Sequence, residues 1–238
     1  MKARYFMSVM VAVAMAHAGG CDTGKAQPGW AMFAGREAPA TAARPAHWAQ
    51  PISSYGIANF FEVSPQLYRG SEPTRPGMEQ LAGLGVKTVI NMRTWDMHST
   101  DDRMTGLGMR YVQIRMKAWE PTDAAIVEFL RIVSDPHGGP YYVHCYTGGD
   151  RAGLMAAIYR VAIQGWTKDE AIREMTYGGF TYHSIFDRWY PQYIQQMNVP
   201  EMRRLAGISP QTPTPGDVRL AAGQQQGPGM GTIAEQGK

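Results

Sequence analysis

Tyr141-Tyr142-Val143-His144-Cys145-Tyr146-Thr147-Gly148-Gly149-Asp150-Arg151-Ala152-Gly153 is the stretch from which the fold is read. Its first four residues have the aromatic and β-branched character of a buried strand, the glycine pair permits a close turn, and Arg151 to Gln164 reads as a helix. A strand that feeds straight into a helix is the repeating unit of an α/β fold. The same alternation extends outward on both sides. Val86 to Asn91 and Tyr111 to Ile114 read as strands. Gly77 to Leu84 and Thr122 to Val133 read as helices, the second with Ile126, Leu130 and Val133 on one face, and further helices are expected at Thr167 to Met175 and Ile185 to Met197. The pattern predicts an α/β domain with a central, mostly parallel sheet flanked by helices. No internal repeat is visible.

The 238 residues suit one domain with extensions. Charged residues make up 18% of the chain, below the usual share of about a quarter. Glycine and proline are abundant at both ends. Lys2 and Arg4 precede an apolar run from Tyr5 to Ala16 that is too short to span a bilayer, so residues 1–20 read as a secretory signal peptide. Ala16-His17-Ala18 has the form of an ordinary cleavage site, whereas Ala18-Gly19-Gly20-Cys21 resembles a bacterial lipobox and is preferred, with Ala18 where Leu is usual. Lipidation of Cys21 would anchor the protein to a membrane on the periplasmic side of the cell envelope. Residues 21–50 then form a flexible tether rich in Ala, Gly and Pro, residues 51–205 the folded domain, and residues 206–238 a disordered tail with the run Gln224-Gln225-Gln226. The formal charge of +3 excludes a strongly basic nucleic-acid binder. Only two cysteines occur, which excludes a disulfide framework. With Cys21 lipidated or removed, Cys145 stands alone.

The segment from His144 to Arg151 meets three needs of phosphoryl transfer. A phosphate needs many donors around its oxygens, and a glycine-containing loop at a helix N-terminus supplies backbone N–H groups. Tyr146, Thr147, Gly148, Gly149, Asp150 and Arg151 are the candidate phosphate-binding residues. Arg151 is placed to grip two oxygens with its planar fork, which lysine cannot reproduce. The same positive field favours the thiolate of Cys145, a candidate nucleophile. The plainer alternative is a buried structural cysteine ahead of a helix. The six histidines show no metal-ligand spacing with one another or with cysteine, so no zinc site is expected.

His144, Cys145, Gly148 and Arg151 match the signature His-Cys-x-x-Gly-x-x-Arg, so this chain resembles the cysteine-dependent protein phosphatases. The late position of the signature is that of the dual-specificity group. Leu67-Tyr68-Arg69-Gly70-Ser71-Glu72-Pro73-Thr74, Thr88-Val89-Ile90-Asn91-Met92-Arg93 and Gln164-Gly165-Trp166-Thr167-Lys168-Asp169-Glu170-Ala171 look like the bacterial secreted branch of that family, and the resemblance spans Phe60 to Met197. It implies a metal- and cofactor-free mechanism in which Cys145 attacks phosphorus, an aspartic acid protonates the leaving oxygen, and water hydrolyses the phosphocysteine. The family places that acid in the loop Trp119-Glu120-Pro121-Thr122-Asp123, with Asp123 the first choice and Glu120 the second. An acid at the start of a helix capped by Thr122 is also favoured by the helix dipole alone. One position departs from the family: where Ser or Thr usually follows the signature arginine, this chain has Ala152, which predicts slow hydrolysis of the phosphocysteine.

Other residues carry weaker expectations. Asp150 is expected to point away from the phosphate and orient the loop. His144, by alternation, should lie on the face opposite Cys145. Arg69 and Arg93 either line the cleft or serve as ion-pair partners, and His183 is expected to pack. Related phosphatases of highly phosphorylated inositols carry extra cations in the loop. Tyr146, Thr147, Gly149 and Asp150 supply none, so a phosphorylated protein, with phosphotyrosine foremost and phosphoserine or phosphothreonine admitted, is the expected substrate. Two rival classes remain, a phosphate-recognition module without turnover, and a redox enzyme that would leave His144, Gly148 and Arg151 unexplained.

Overall fold

The computed structural model describes residues 44–95, 104, 106–183 and 189–209. The expected signal peptide, Cys21, most of the tether, the tail beyond 209 and the expected helix start at Ile185 lie outside these residues.

The chain enters through β1 (Gln50–Pro51), β2 (Phe61–Ser64) and β3 (Leu67–Gly70), then α1 (Arg75–Gly83), β4 (Thr88–Asn91) and β5 (Arg110–Gln113). It continues through α2 (Asp123–Val133), β6 (Tyr141–His144), α3 (Arg151–Ala162), α4 (Lys168–Tyr177), α5 (Trp189–Gln196) and α6 (Val199–Leu205). The strands form one sheet in the order β1-β2-β3-β6-β4-β5. Strand β6 lies parallel between β3 and β4, and β4 is parallel to β5, while β1, β2 and β3 form an antiparallel meander at the other side. Parallel strands need crossover connections, and α1 carries the chain from β3 to β4 while α2 carries it from β5 to β6.

Every residue of β3, β4 and β6 is buried, as expected for strands covered on both faces. Alternation along β6 divides its side chains. Tyr142 joins Met78 and Leu81 of α1 in one cluster, while Tyr141, Val143 and Cys145 join Ile126, Phe129 and Leu130 of α2 and most of α3 in the other. Helix α3 is buried from Ala152 to Ala162 because the sheet covers one side and α2, α4 and α6 the other. Inside that layer Arg160 meets Glu174 through two hydrogen bonds of 2.7 and 2.9 Å, both side chains 3% exposed. Removing one partner of such a pair strands a buried charge and costs roughly 3–5 kcal/mol.

Side chains cap most helices. Thr74, Thr122, Thr167 and Asn198 each accept from an amide of the first turn of α1, α2, α4 and α6.

The expected elements shift by a few residues. The strand expected from Val86 begins at Thr88, because the Val86 amide donates to Leu81 O and closes α1 instead. The strand expected at 111–114 runs over 110–113, and the helix expected at 77–84 begins at Arg75, behind the Thr74 cap. The boundary expected at residue 50 also moves. Residues 44–50 pack onto the domain, with Trp48 and Ala49 buried, since an indole ring and a string of hydrogen bonds hold them there. At the other end Ala206 is buried and Ile208 packs on the core, so the folded part extends past 205.

Candidate active site

The loop between β6 and α3 is defined by where its carbonyls go. His144 Nδ1 lies 3.1 Å from Cys145 O and donates to it in the tautomer that carries its proton there. The Glu72 amide donates to Tyr146 O at 3.1 Å. Asn59 Nδ2 donates to Thr147 O at 3.3 Å, and Arg69 Nη2 donates to both Gly148 O (2.6 Å) and Gly149 O (3.1 Å). Five consecutive carbonyls are therefore held by donors outside the loop. Because a trans peptide is planar, with its C=O and N–H opposed, the amides of residues 146–150 point the opposite way, into the concave side. This is the geometry of an anion-binding nest, with the Gly149 amide also meeting Thr147 Oγ1 at 3.4 Å. Asp150 stands at the N-cap of α3 but makes no capping bond, which leaves the first turn of that helix open to the same space.

Gly148 makes the turn possible. It has φ of +80°, and a Cβ there would come within 2.4 Å of the Gly70 carbonyl carbon, so both backbone conformation and space exclude a side chain. A Cβ on Gly149 would meet Thr181 O at 2.5 Å.

Arg69 is the main support. It is 1% exposed, lies 4.0 Å over the Phe180 ring, and sits behind the loop rather than in the cleft. Burial lowers its pKa to about 10, and the nearby Glu174 carboxylate opposes that shift, so it remains a cation at neutral pH. Its field favours negative charge in the loop. Arg93 pairs with Glu72, whose amide holds Tyr146 O, and its guanidinium lies 5.4 Å from the Tyr146 ring. Tyr142, pushed well above its ordinary pKa by burial, stays a donor and fixes Ser71 O at 2.5 Å.

The structure brings Cys145, the loop and Arg151 together. Cys145 is 1% exposed at the end of the central strand. Arg151 reaches across the ends of β4 and β5, with Nη1 3.4 Å from Met92 O and 3.3 Å from Met116 O, and its buried Nε has no hydrogen-bond partner among the described residues. His144 stacks on Tyr142 (5.8 Å, 16°), on the face away from Cys145. The Asp150 carboxylate accepts the His183 amide at 2.9 Å and lies 3.0 Å from His183 Nδ1, which ties the segment after α4 to the loop.

Asp123 and Glu120 are placed differently. Asp123 is exposed at the first position of α2, and its Oδ1 accepts the Tyr193 hydroxyl at 2.6 Å. Tyr193 is raised above its ordinary pKa by burial and by that carboxylate, so the hydroxyl keeps its proton. Glu120 pairs with Lys117 at 2.9 Å.

A protein-family model described as DSP-PTPase phosphatase fused to NAD+ kinase matches residues 53–187. The chain belongs to this phosphatase family. It is 35% identical over 143 residues to the dual specificity protein phosphatase TpbA of Pseudomonas aeruginosa, a match that covers 58% of this chain and 62% of TpbA. The chain thus matches less than two thirds of that relative's length. The crystal structure of P. aeruginosa TpbA in complex with phosphotyrosine superposes with a TM-score of 0.61 at 28% identity, covering 70% of this chain and 100% of the other. The core catalytic domain of a PP-IP phosphatase from S. cerevisiae shares the fold, with a TM-score of 0.56 at 22% identity over 65% of this chain and 94% of that one.

Within this phosphatase fold, Asn59, Phe180 and the depth of Arg69 were not expected from sequence. The Asn59 signal is faint: it has φ of +56°, in the region where Asn is more tolerated than most residues.

Proposed function

We propose that the chain is a metal-independent protein phosphatase that hydrolyses phosphotyrosine, and also phosphoserine or phosphothreonine, through a phosphocysteine intermediate. The observation that carries this reading is the run of five outward-held carbonyls beside a buried thiol, which turns consecutive amides toward one anion. Those amides and Arg151 bind the phosphoryl oxygens. The Cys145 sulfur forms a bond to phosphorus as the bond to the substrate oxygen breaks, and a carboxylic acid, Asp123 or Glu120, gives that oxygen its proton. Water then attacks phosphorus, the S–P bond breaks, and inorganic phosphate leaves. The amides and the guanidinium act most strongly on charge that develops at the equatorial oxygens in the transition state.

TpbA bound to phosphotyrosine, and the absence of added cations at Tyr146, Thr147, Gly149 and Asp150, favour an aryl phosphate over a polyphosphorylated substrate. The chain fits the bacterial secreted branch of the family, and Ala18-Gly19-Gly20-Cys21 supports a lipid anchor on Cys21 that would hold the domain on the periplasmic side of the envelope. The test is para-nitrophenyl phosphate hydrolysis by the full chain with EDTA present, beside Cys145→Ser. Release that survives EDTA and falls at least about 10⁴-fold in Cys145→Ser is expected. Oxyanion binding without release would instead point to a recognition module.

A further inference from the structure

Residues 44–50 precede the part of the chain matched by the family model, and they pack on α3, α4 and the turn after α4, which backs the phosphate loop through Phe180 and Arg69. The Ala49 amide donates to Glu174 Oε1 at 2.6 Å, Trp48 Nε1 donates to Glu170 Oε1 at 2.7 Å, and Arg160 Nη2 reaches His47 O at 3.3 Å. At the start of the segment Arg44 turns inward. Its Nε donates to Ala49 O at 2.7 Å, closing the segment on itself, and its Nη1 donates to Gly178 O at 2.5 Å. The guanidinium lies 5.0 Å from the Phe61 ring centroid and 5.1 Å from that of Phe180, and the two rings meet edge to face at 4.7 Å. Phe180 is also the ring on which Arg69 rests, and Arg69 is the donor to Gly148 O and Gly149 O.

We propose that Arg44 is a positioning residue for the phosphate loop, acting through Phe180 and Arg69, with residues 44–50 as the strap that carries it. The proposal rests on the phosphatase reading above. Helix α4 ends at Tyr177, and Gly178 and Gly179, the latter at φ of +71°, separate it from Phe180, so the helix does not by itself fix that ring. Arg44 fixes it from two sides, by holding Gly178 O and by stacking. Among the described residues Arg69 Nε has no hydrogen-bond partner, so the lateral position of its guanidinium depends on Nη2 and on the Phe180 ring. Without Arg44 the turn after α4 loses a donor and a covering group, Phe180 relaxes, and Arg69 no longer holds two carbonyls outward. The amides opposed to those carbonyls belong to Gly149 and Asp150, and they then turn from the anion. The Phe180 backbone adds a second route, because Phe180 O accepts from Asn59 Nδ2 at 2.7 Å, the same group that holds Thr147 O.

The experiment uses the full chain and vanadate as the oxyanion probe, with the inhibition constant and kcat/KM for para-nitrophenyl phosphate read together and the melting temperature measured for each variant. Arg44→Ala and Phe180→Leu are each expected to weaken vanadate binding about tenfold and to lower kcat/KM in parallel, with Arg44→Lys in between, because it keeps a donor but not the flat face. Met202→Ala opens a cavity in α6 away from this path; it is expected to lower the melting temperature and leave vanadate affinity within about twofold. Phe180→Leu keeps every hydrogen bond of Arg44, so it tests the relay even where Arg44→Ala folds poorly. Vanadate affinity in Arg44→Ala and Phe180→Leu no lower than in Met202→Ala would overturn the proposal. A wild-type chain that does not bind vanadate defeats the phosphatase reading itself, whereas wild-type binding with both variants unaffected defeats only the strap.

Discussion

The loop from Cys145 to Arg151 and the loop from Lys117 to Asp123 follow parallel strands and leave the sheet at the same edge, yet they are held to very different degrees. In the first, every carbonyl from Cys145 to Gly149 has a donor from outside the loop, and both glycines are buried against neighbouring backbone. In the second, Trp119, Glu120 and Asp123 face solvent, and only one carbonyl, Ala118 O, is held by a distant side chain, the Tyr190 hydroxyl at 2.6 Å, beside the bridge between Lys117 and Glu120 and the Tyr193 hydroxyl on Asp123, among the described residues. On the proposed function, phosphate binding rests on backbone, whose geometry is set once the fold forms. The proposed proton donors are side chains on a surface loop, which a substrate can rearrange on binding.

Substitutions should separate the two regions. The largest loss below that of the nucleophile is expected for Arg151→Lys, which keeps the charge and removes the fork: kcat/KM should fall about a hundredfold to a thousandfold, measured with any phosphomonoester. Gly148→Ala should come next. With φ of +80° and no room for a Cβ, it is expected to cost roughly 1–3 kcal/mol in denaturant unfolding and to abolish vanadate binding; unchanged binding would mean that the loop is not preformed. In the second region the effect should depend on the substrate. Asp123→Asn is expected to lower kcat/KM about a hundredfold for an alkyl phosphate and by less than about twofold for para-nitrophenyl phosphate, whose leaving group needs no proton. The same split in Glu120→Gln, with Asp123→Asn silent, would move the acid to Glu120. The smallest change is expected for Ala152→Ser, which supplies a hydroxyl beside the sulfur: a stopped-flow burst present in the wild type should shrink as steady-state turnover rises a few-fold.

Much of the first region was legible in the sequence. A buried-type strand, a glycine pair and a helix start are local signals, and Tyr141–His144 and Arg151–Ala162 follow them closely. The supports were not legible, because they come from far along the chain. Arg69 sits within a strand whose four residues are all buried, and nothing in Leu67-Tyr68-Arg69-Gly70 shows that the guanidinium meets carbonyls 79 and 80 residues away. Residues 44–50 carried the composition of a linker, and only the tertiary partners of Trp48 and Ala49 reveal otherwise. Helix α6 was overlooked for a different reason. Its signals are present, with Asn198 at the cap, Pro200 in the first turn and Arg203 and Arg204 in the last, but the helix is only seven residues long and offers little periodicity to read.

Tyr146 and Thr147 are both exposed while their peptide groups line the nest, but the Thr147 hydroxyl turns back to accept the Gly149 amide at 3.4 Å. On the proposed function, recognition of the phosphoryl group and recognition of whatever bears it fall on different atoms of Tyr146. That side chain can be exchanged, and the bearer of the phosphate with it, without disturbing the peptide groups of the loop, whereas the Thr147 hydroxyl belongs to the loop's own hydrogen bonding.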